Sequence, residues 1–219
     1  MMKNISSFIF SLLLLMSVDT LGQDTLRTYG PRFGIDLARF ATLFTSPKQI
    51  GAEASVDFEM YKNIFPVFEL GYNSIALDQE SYKYSEYGVY GRVGIDYNLL
   101  PIKDRSVHHS IFVGARYGLS RFKHQAENII SPNIYWGDYY LDEYINSVTG
   151  HWMEITGGVK TELVNNLFMG WTIRAKFLLS KGKNEVMSPY LIPGYGKGNS
   201  NSVFGLSYTI MYKIPLLKK

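Results

Sequence analysis

Cysteine is absent from all 219 residues, which excludes a disulfide framework and a lipid-attachment thiol behind a leader. Long apolar runs are missing from everything after the leader. No later segment approaches about 18 uninterrupted apolar positions, so helical membrane spans are excluded and only a closed barrel of strands could cross a bilayer. Charge of one sign is scarce too: the formal net charge is +3, and the lysines and arginines are dispersed rather than gathered, which argues against nucleic-acid binding. Histidine occurs four times, and the adjacent pair His108 and His109 lacks a third ligand at diagnostic spacing, so neither a metal nor another cofactor is expected.

The N-terminus has a charged start at Lys3, an apolar run from Ile5 to Met16, and small or polar residues from Ser17 to Gln23. This is the layout of a secretory signal peptide over residues 1–22, cut after Gly22, with one domain over 23–219. The apolar run, about 12 residues, is too short to span a bilayer comfortably.

What the remainder does have is a two-residue rhythm that recurs about eight times. In Gly51 to Met60, Ala52, Ala54, Val56, Phe58 and Met60 point one way and Glu53, Ser55, Asp57 and Glu59 the other, because successive strand side chains alternate faces. The same alternation runs through Arg32–Leu43, Val67–Ser74, Gly88–Leu99, His109–Ser120, His151–Leu163, Leu167–Leu179 and Val203–Ile214. Links at 61–64 and 164–166 are tight, whereas 75–87, 121–150 and 180–202 read as long loops. Short turns belong on the periplasmic side and long loops outside. The fold class is therefore all-β: an eight-stranded antiparallel up-and-down transmembrane barrel.

Alternation alone does not say which face points inward, since a soluble lipocalin-like carrier has the same rhythm turned inside out. Glycine decides it. Gly34, Gly51, Gly71, Gly94, Gly114, Gly118, Gly158, Gly170 and Gly205 share the charged face, while only Gly91 and Gly157 fall on the apolar one, and a narrow barrel needs glycine where its interior is crowded. Aromatics agree, with Phe33, Tyr61, Phe65, Tyr97, Trp171 and Tyr212 near inner strand ends and Phe44, Tyr72, Tyr117, Phe177 and Phe204 near outer ends, as interfacial girdles require.

The inward face then carries Asp36, Glu53, Asp57, Glu59, Glu69, Asp96 and Glu154 against Arg92, Arg116, Lys160, Arg174 and Lys176. Buried charges must pair, so these residues form an ion-pair network filling the lumen. A selective pore is the functional alternative, but eight strands enclose a space just wide enough for side chains.

Enzymatic chemistry has thin support. Ser147, His151 and Asp142 or Glu143 offer triad residue types at one rim, yet such combinations are common in loops and the reading is of a non-enzyme. The segment 121–150 is the better candidate for function. Tyr135, Trp136, Tyr139, Tyr140 and Tyr144 alternate there with Asp138 and Asp142, a composition suited to an extracellular protein or glycan ligand. The last loop, with Pro193-Gly194-Tyr195-Gly196, reads as mobile.

Four stretches carry a family resemblance: Tyr29-Gly30-Pro31-Arg32-Phe33-Gly34-Ile35-Asp36-Leu37, Gly94-Ile95-Asp96-Tyr97-Asn98-Leu99-Leu100, Gly114-Ala115-Arg116-Tyr117-Gly118-Leu119-Ser120 and Tyr212-Lys213-Ile214-Pro215. They resemble a family of uncharacterised outer-membrane barrels from Bacteroidota, over nearly the whole mature chain. More distantly the architecture is similar to small enterobacterial barrels used for adhesion or envelope anchoring. The resemblance implies location and fold, with outer-membrane lipid and the barrel assembly machinery as partners. The C-terminus departs from the terminal aromatic of many such proteins, leaving assembly recognition to Tyr208, Ile210, Tyr212 and Ile214.

The function expected is thus a structural or surface-binding outer-membrane barrel. A narrow transport or ion-conducting barrel and a soluble secreted carrier stand as rivals.

Overall fold

In a computed structural model of the chain, residues 28–39, 48–79, 82–100, 109–131, 139–182 and 188–218 are described. The leader expected over residues 1–22 lies outside them. The strands in chain order are β1 (Thr28–Tyr29), β2 (Arg32–Asp36), β3 (Gln49–Asp57), β4 (Ile64–Gln79), β5 (Tyr82–Asn98), β6 (Ser110–Ser131), β7 (Tyr139–Val164), β8 (Leu167–Ser180), β9 (Leu191–Ile192), β10 (Gly196–Lys197), β11 (Ser202–Lys213) and β12 (Leu217–Lys218).

Eight of these close a barrel in the order β11-β2-β3-β4-β5-β6-β7-β8, every neighbour antiparallel. Closure satisfies the backbone groups that an open sheet would leave at its edges. At the short-turn end β1 pairs with β12, and the Ile214 N–H donates to the Pro31 carbonyl, tying the two chain ends together beneath the barrel. Two tight turns there place Asn63 and Asn166 at φ of 65° and 67°. Asparagine is among the few non-glycine residues that tolerate this left-handed region.

The faces follow the sequence alternation. Glu53, Glu69, Arg92, Arg116, Glu154 and Arg174 are buried inside, while Ile35, Leu70, Val93, Ile155 and Ile173 are exposed outside. Glycine is inside for the reason expected. A Cβ on Gly71 would collide with the Tyr90 ring and one on Gly118 with the Trp152 indole, so glycine makes room for both rings.

Three expectations of strand extent are corrected. The first barrel strand stops at Asp36 rather than Leu43: residues 37–39 form a helical turn, because the Asp36 carboxylate accepts the N–H of Ala38 and bends the chain out of the sheet. Most of the expected long loop 121–150 is strand instead. β6 and β7 stay paired from Ser110↔Lys160 up to Ser131↔Tyr139, flanked by β5 as far as Lys83↔Glu127, so β4 to β7 rise together, β6 and β7 continue as a two-stranded ribbon beyond Glu127, and only residues 132–138 separate them. Segment 75–87 is likewise a continuation of β4 and β5, paired up to Gln79↔Tyr82.

Phe65 also departs from its expected place in a girdle. It lies on the inward face of β4, opposite Asp96, with the Arg32 guanidinium 4.9 Å from its ring centre.

Candidate functional site: the filled lumen and its outer plug

The barrel interior is stacked in layers. Nearest the short turns, Asp57 accepts from Arg32 Nε and, at 2.7 Å, from Lys160 Nζ, which also reaches Asp96 Oδ2 at 2.9 Å. Aromatic rings line this layer. Lys160 lies 4.6 Å from the Phe112 ring centre and Lys213 lies 5.2 Å from that of Phe168, so ring quadrupoles hold both cations and add to the carboxylates on Lys160.

The middle layer is a guanidinium–carboxylate lattice. Arg116 grips Asp96 with two terminal nitrogens at 2.8 and 3.2 Å and donates from Nε to Glu69 at 3.1 Å. Arg174 grips Glu69 at 2.9 and 3.0 Å and Glu154 at 3.1 Å. Arg92 grips Glu53 at 2.9 and 3.1 Å and also donates to Glu69. Forked, charge-assisted bonds of this kind suit arginine, whose planar donors match a carboxylate's two oxygens.

Across both layers six carboxylates, Asp36, Glu53, Asp57, Glu69, Asp96 and Glu154, meet six cations, Arg32, Arg39, Arg92, Arg116, Lys160 and Arg174, with Arg39 reaching Glu53 at 3.4 Å and Asp36 at 3.9 Å from the edge. Isolated buried charge is costly, so this balance is what makes a polar interior tolerable. Tyr90 and Trp152 cover the layer, the Tyr90 hydroxyl donating to Glu53 and the indole N–H to Glu154 at 2.6 Å.

Sequence-predicted residues at the edge of the lattice or beyond it are Asp36, Glu59 and Lys176. Asp36 faces inward but accepts main-chain N–H groups of Ala38 and Tyr208, at 2.9 and 3.1 Å. Glu59 lies past the end of β3, which stops at Asp57. Lys176 donates to the main-chain carbonyls of Gly194 and Tyr195, at 2.7 and 3.0 Å.

Those carbonyls belong to the link between β8 and β11, and here the expected mobile loop is corrected. Residues 188–200 fold down into the barrel mouth as a plug, with β9 and β10 as its small hairpin. Ile192 and Tyr195 are buried among Tyr90, Phe122, Val148 and Trp152. Two buried prolines, Pro189 and Pro193, stiffen it, and positive φ at Gly194 (79°) and Gly196 (131°) lets the chain reverse. Above the plug lies a second apolar group of Ile75, Tyr84 and Ala126. There Glu86, which faces His124 across the β5–β6 pair, accepts from the Tyr84 hydroxyl at 2.6 Å and from the Leu191 N–H of the plug at 3.3 Å. Burial pushes the Glu86 carboxyl up to about 7, although both hydrogen bonds favour its charged form.

Arg32 is a lattice member that the sequence pattern presents only as a strand start; its parity with Gly34 and Asp36 is the available signal. The plug contacts have no sequence signal beyond the Pro-Gly-Tyr-Gly cluster, because packing of a loop on distant strands is non-local.

Of the surface candidates, Tyr135, Trp136 and Asp138 lie outside the described residues, and the backbone of Tyr139, Tyr140 and Asp142 is strand in β7. Tyr144 turns inward, its ring 5.6 Å from that of His124 in an edge contact. The triad residue types do not converge. Ser147 and His151 lie four residues apart along β7, about 13 Å at strand rise, and His151 Nδ1 instead meets the Tyr117 hydroxyl at 3.2 Å. Among the described residues no three His, Asp or Glu side chains gather in a way that holds a metal ion.

Fold and interior together define a closed eight-stranded antiparallel barrel with an apolar wall and a packed, ion-paired core. The chain belongs to the family described as Domain of unknown function (DUF6048), whose model matches residues 1–219. Among solved structures it is similar to Neisserial surface protein A (NspA), at 13% identity and a TM-score of 0.42, covering 84% of this chain and 94% of that one. It is also similar to a major outer membrane protein from Thermus thermophilus, at 11% identity and a TM-score of 0.42, covering 84% of this chain and 99% of that one. No curated protein sequence matches the chain.

Proposed function

We propose that the protein is an integral outer-membrane barrel that conducts no solute and acts as a structural or surface-binding element through its outer ribbon. The observation that carries the membrane reading is the outer wall. Ile35, Leu70, Val93, Leu119, Ile155, Ile173 and Leu206 come from seven barrel strands and are each between 48% and 71% exposed, a continuous apolar belt that water would not tolerate. A soluble carrier of the lipocalin kind needs its apolar face inside, where this barrel keeps carboxylates and guanidinium groups.

The non-conducting reading is supported by the filled lumen, in which the ion-pair lattice and the plug occupy successive levels. The β6–β7 ribbon carries the surface role. It is the longest projection of the barrel, and its tip sequence is rich in Tyr, Trp and Asp, suited to an extracellular protein or glycan ligand. Outer-membrane lipid and the barrel assembly machinery are its other partners, and the protein is not an enzyme.

Refolding into phospholipid vesicles tests this. The barrel is expected to float with the vesicles after a carbonate or urea wash and to give no steady current in a planar bilayer. Release by salt alone would overturn the membrane placement, and a sustained single-channel current would overturn the closed lumen. A variant lacking residues 133–147 should lose binding to cells or glycans that the full chain binds.

A further inference from the structure

We propose that the outer wall holds one phosphorylated glycolipid of the outer leaflet, its phosphate on Arg121 and Lys123 and an acyl chain in a furrow centred on Gly91; this rests on the outer-membrane reading above. The furrow exists because small residues share one patch of the lipid-facing wall. Ala54, Leu70, Gly91 and Leu119 are consecutive cross-strand partners on β3 to β6, so Gly91 leaves a gap between two leucines and Ala54 extends it toward Ile35. The hollow is an open groove of about 610 Å³, almost wholly apolar, with Arg121 on its lining. That volume lies in the range of sites that bind small ligands.

The chemistry at its outer end selects the headgroup. Arg121 is exposed and Lys123 half-buried, both on the outward face of β6, where the apolar belt ends. Directly opposite them on β7 stand Thr149 and Ser147, both exposed, so two cations and two hydroxyls form a cluster of hydrogen-bond donors. The side opposite, on β5, presents Val89 and Tyr87. Among these cross-strand partners there is no carboxylate. The nearest acids up the ribbon, Glu127 and Glu143, both accept at 2.8 Å from the Gln125 side chain. Among the described residues Arg121 and Lys123 have no ion-pair or hydrogen-bond partner.

Two unmatched cations at the outer boundary of an apolar belt are positioned for a phosphate at headgroup depth, and arginine binds phosphate in a fork. The long β6–β7 ribbon marks this end as the external one. The lipid reached there is the phosphorylated glucosamine lipid of the outer leaflet, whose several acyl chains suit a furrow running down the wall.

The test is native mass spectrometry of the full barrel in mild detergent, incubated with bisphosphorylated lipid A, dephosphorylated lipid A or phosphatidylglycerol. Bisphosphorylated lipid A should be retained as a one-to-one adduct, and the other two about ten-fold less. Arg121→Gln with Lys123→Gln should reduce retention to the level of the dephosphorylated lipid. Gly91→Leu should reduce retention of all acylated lipids. A Cβ at Gly91 meets nothing closer than Leu70 Cδ2 at 3.4 Å, so that variant is expected to fold, and the cation variant carries the test by itself if it does not. Equal retention of phosphorylated and dephosphorylated lipid, equal retention by wild type and the cation variant, or preference for phosphatidylglycerol would overturn the proposal. Vesicle flotation of the same preparation separates the two failures: a barrel that floats yet retains no lipid A sinks this site alone, whereas one that never floats sinks the membrane reading with it.

Discussion

Glu69 and Arg174 stand 105 residues apart in the chain and clasp each other across the lumen, Arg174 donating from both terminal nitrogens at 2.9 and 3.0 Å. Glu69 also receives Arg92 and Arg116, so one carboxylate from β4 neutralises cations from β5, β6 and β8. The hydrophobic core of an ordinary domain is replaced here by a lattice whose members are each expensive to bury alone.

Replacing Glu69 with glutamine should therefore cost about 3 to 5 kcal/mol, because it strands buried guanidinium charge. The exposed Lys197→Gln should stay within about 0.5 kcal/mol. Urea titration of the barrel in vesicles reads both, and a Glu69→Gln midpoint matching wild type would show that the lattice is not what holds the wall closed.

Lys176 anchors the plug through the Gly194 and Tyr195 carbonyls, so Lys176→Met should loosen residues 189–198 without opening the wall. Hydrogen exchange of plug amides such as Tyr195, which donates to the Ile192 carbonyl at 3.0 Å, should rise about ten-fold while β6 and β7 amides stay protected. Unchanged plug exchange would mean that the buried Ile192 and Tyr195 side chains hold it unaided.

Glu86 lies above the apolar belt, level with Lys123 on the outer wall, and its carboxyl is raised from 4.5 to about 7. A raised acid is protonated in both folded and released states below about 4.5, where it has no effect on plug docking. Between 4.5 and 7 the docked state holds the extra proton, so docking weakens as pH rises and has lost its full share above 7, about 3 kcal/mol. Leu191 amide exchange, corrected for its intrinsic pH dependence, should increase from pH 5 to pH 8 in wild type. In Glu86→Gln that excess should vanish; a persistent excess would assign the effect to another group.

Gly118 faces the Trp152 indole so closely that any Cβ must displace it. Gly118→Val should cost about 1 to 3 kcal/mol and shift tryptophan emission, whereas Gly91→Ala on the outer wall should be nearly neutral. Matching stabilities for the two variants would show that the glycine-bearing face is not the crowded one.

Much of the architecture is legible in the chain because strand alternation is local. Glu53 and Asp57 share a face with Gly51, and Ala52 and Ala54 oppose them, whatever the rest of the molecule does. Strand length is less legible. Residues 121–131 and 139–150 contain polar, aromatic and glycine positions of a loop-like composition, yet they pair with each other up to Ser131↔Tyr139, and β5 supplies the other edge of β6 as far as Glu127. The plug reads as mobile in sequence because Pro193-Gly194-Tyr195-Gly196 signals a turn but says nothing of where the turn docks. Lys176 likewise shares a face with carboxylates, yet main-chain carbonyls lie nearer.

By itself the sequence determined the alternation of apolar and charged faces, the strand count and the balance of lumen charge, since all three follow from a period of two and a tally of residue types. Only the tertiary structure decided that Glu69 rather than another acid is the hub, that Glu59 falls beyond its strand, and that residues 188–200 dock in the mouth. Those outcomes depend on inter-strand register and on loop packing, which join residues far apart in the chain, 172 positions in the case of the Tyr208 N–H bond to Asp36. Such contacts are set by the geometry of the closed cylinder and leave no periodic trace in the chain.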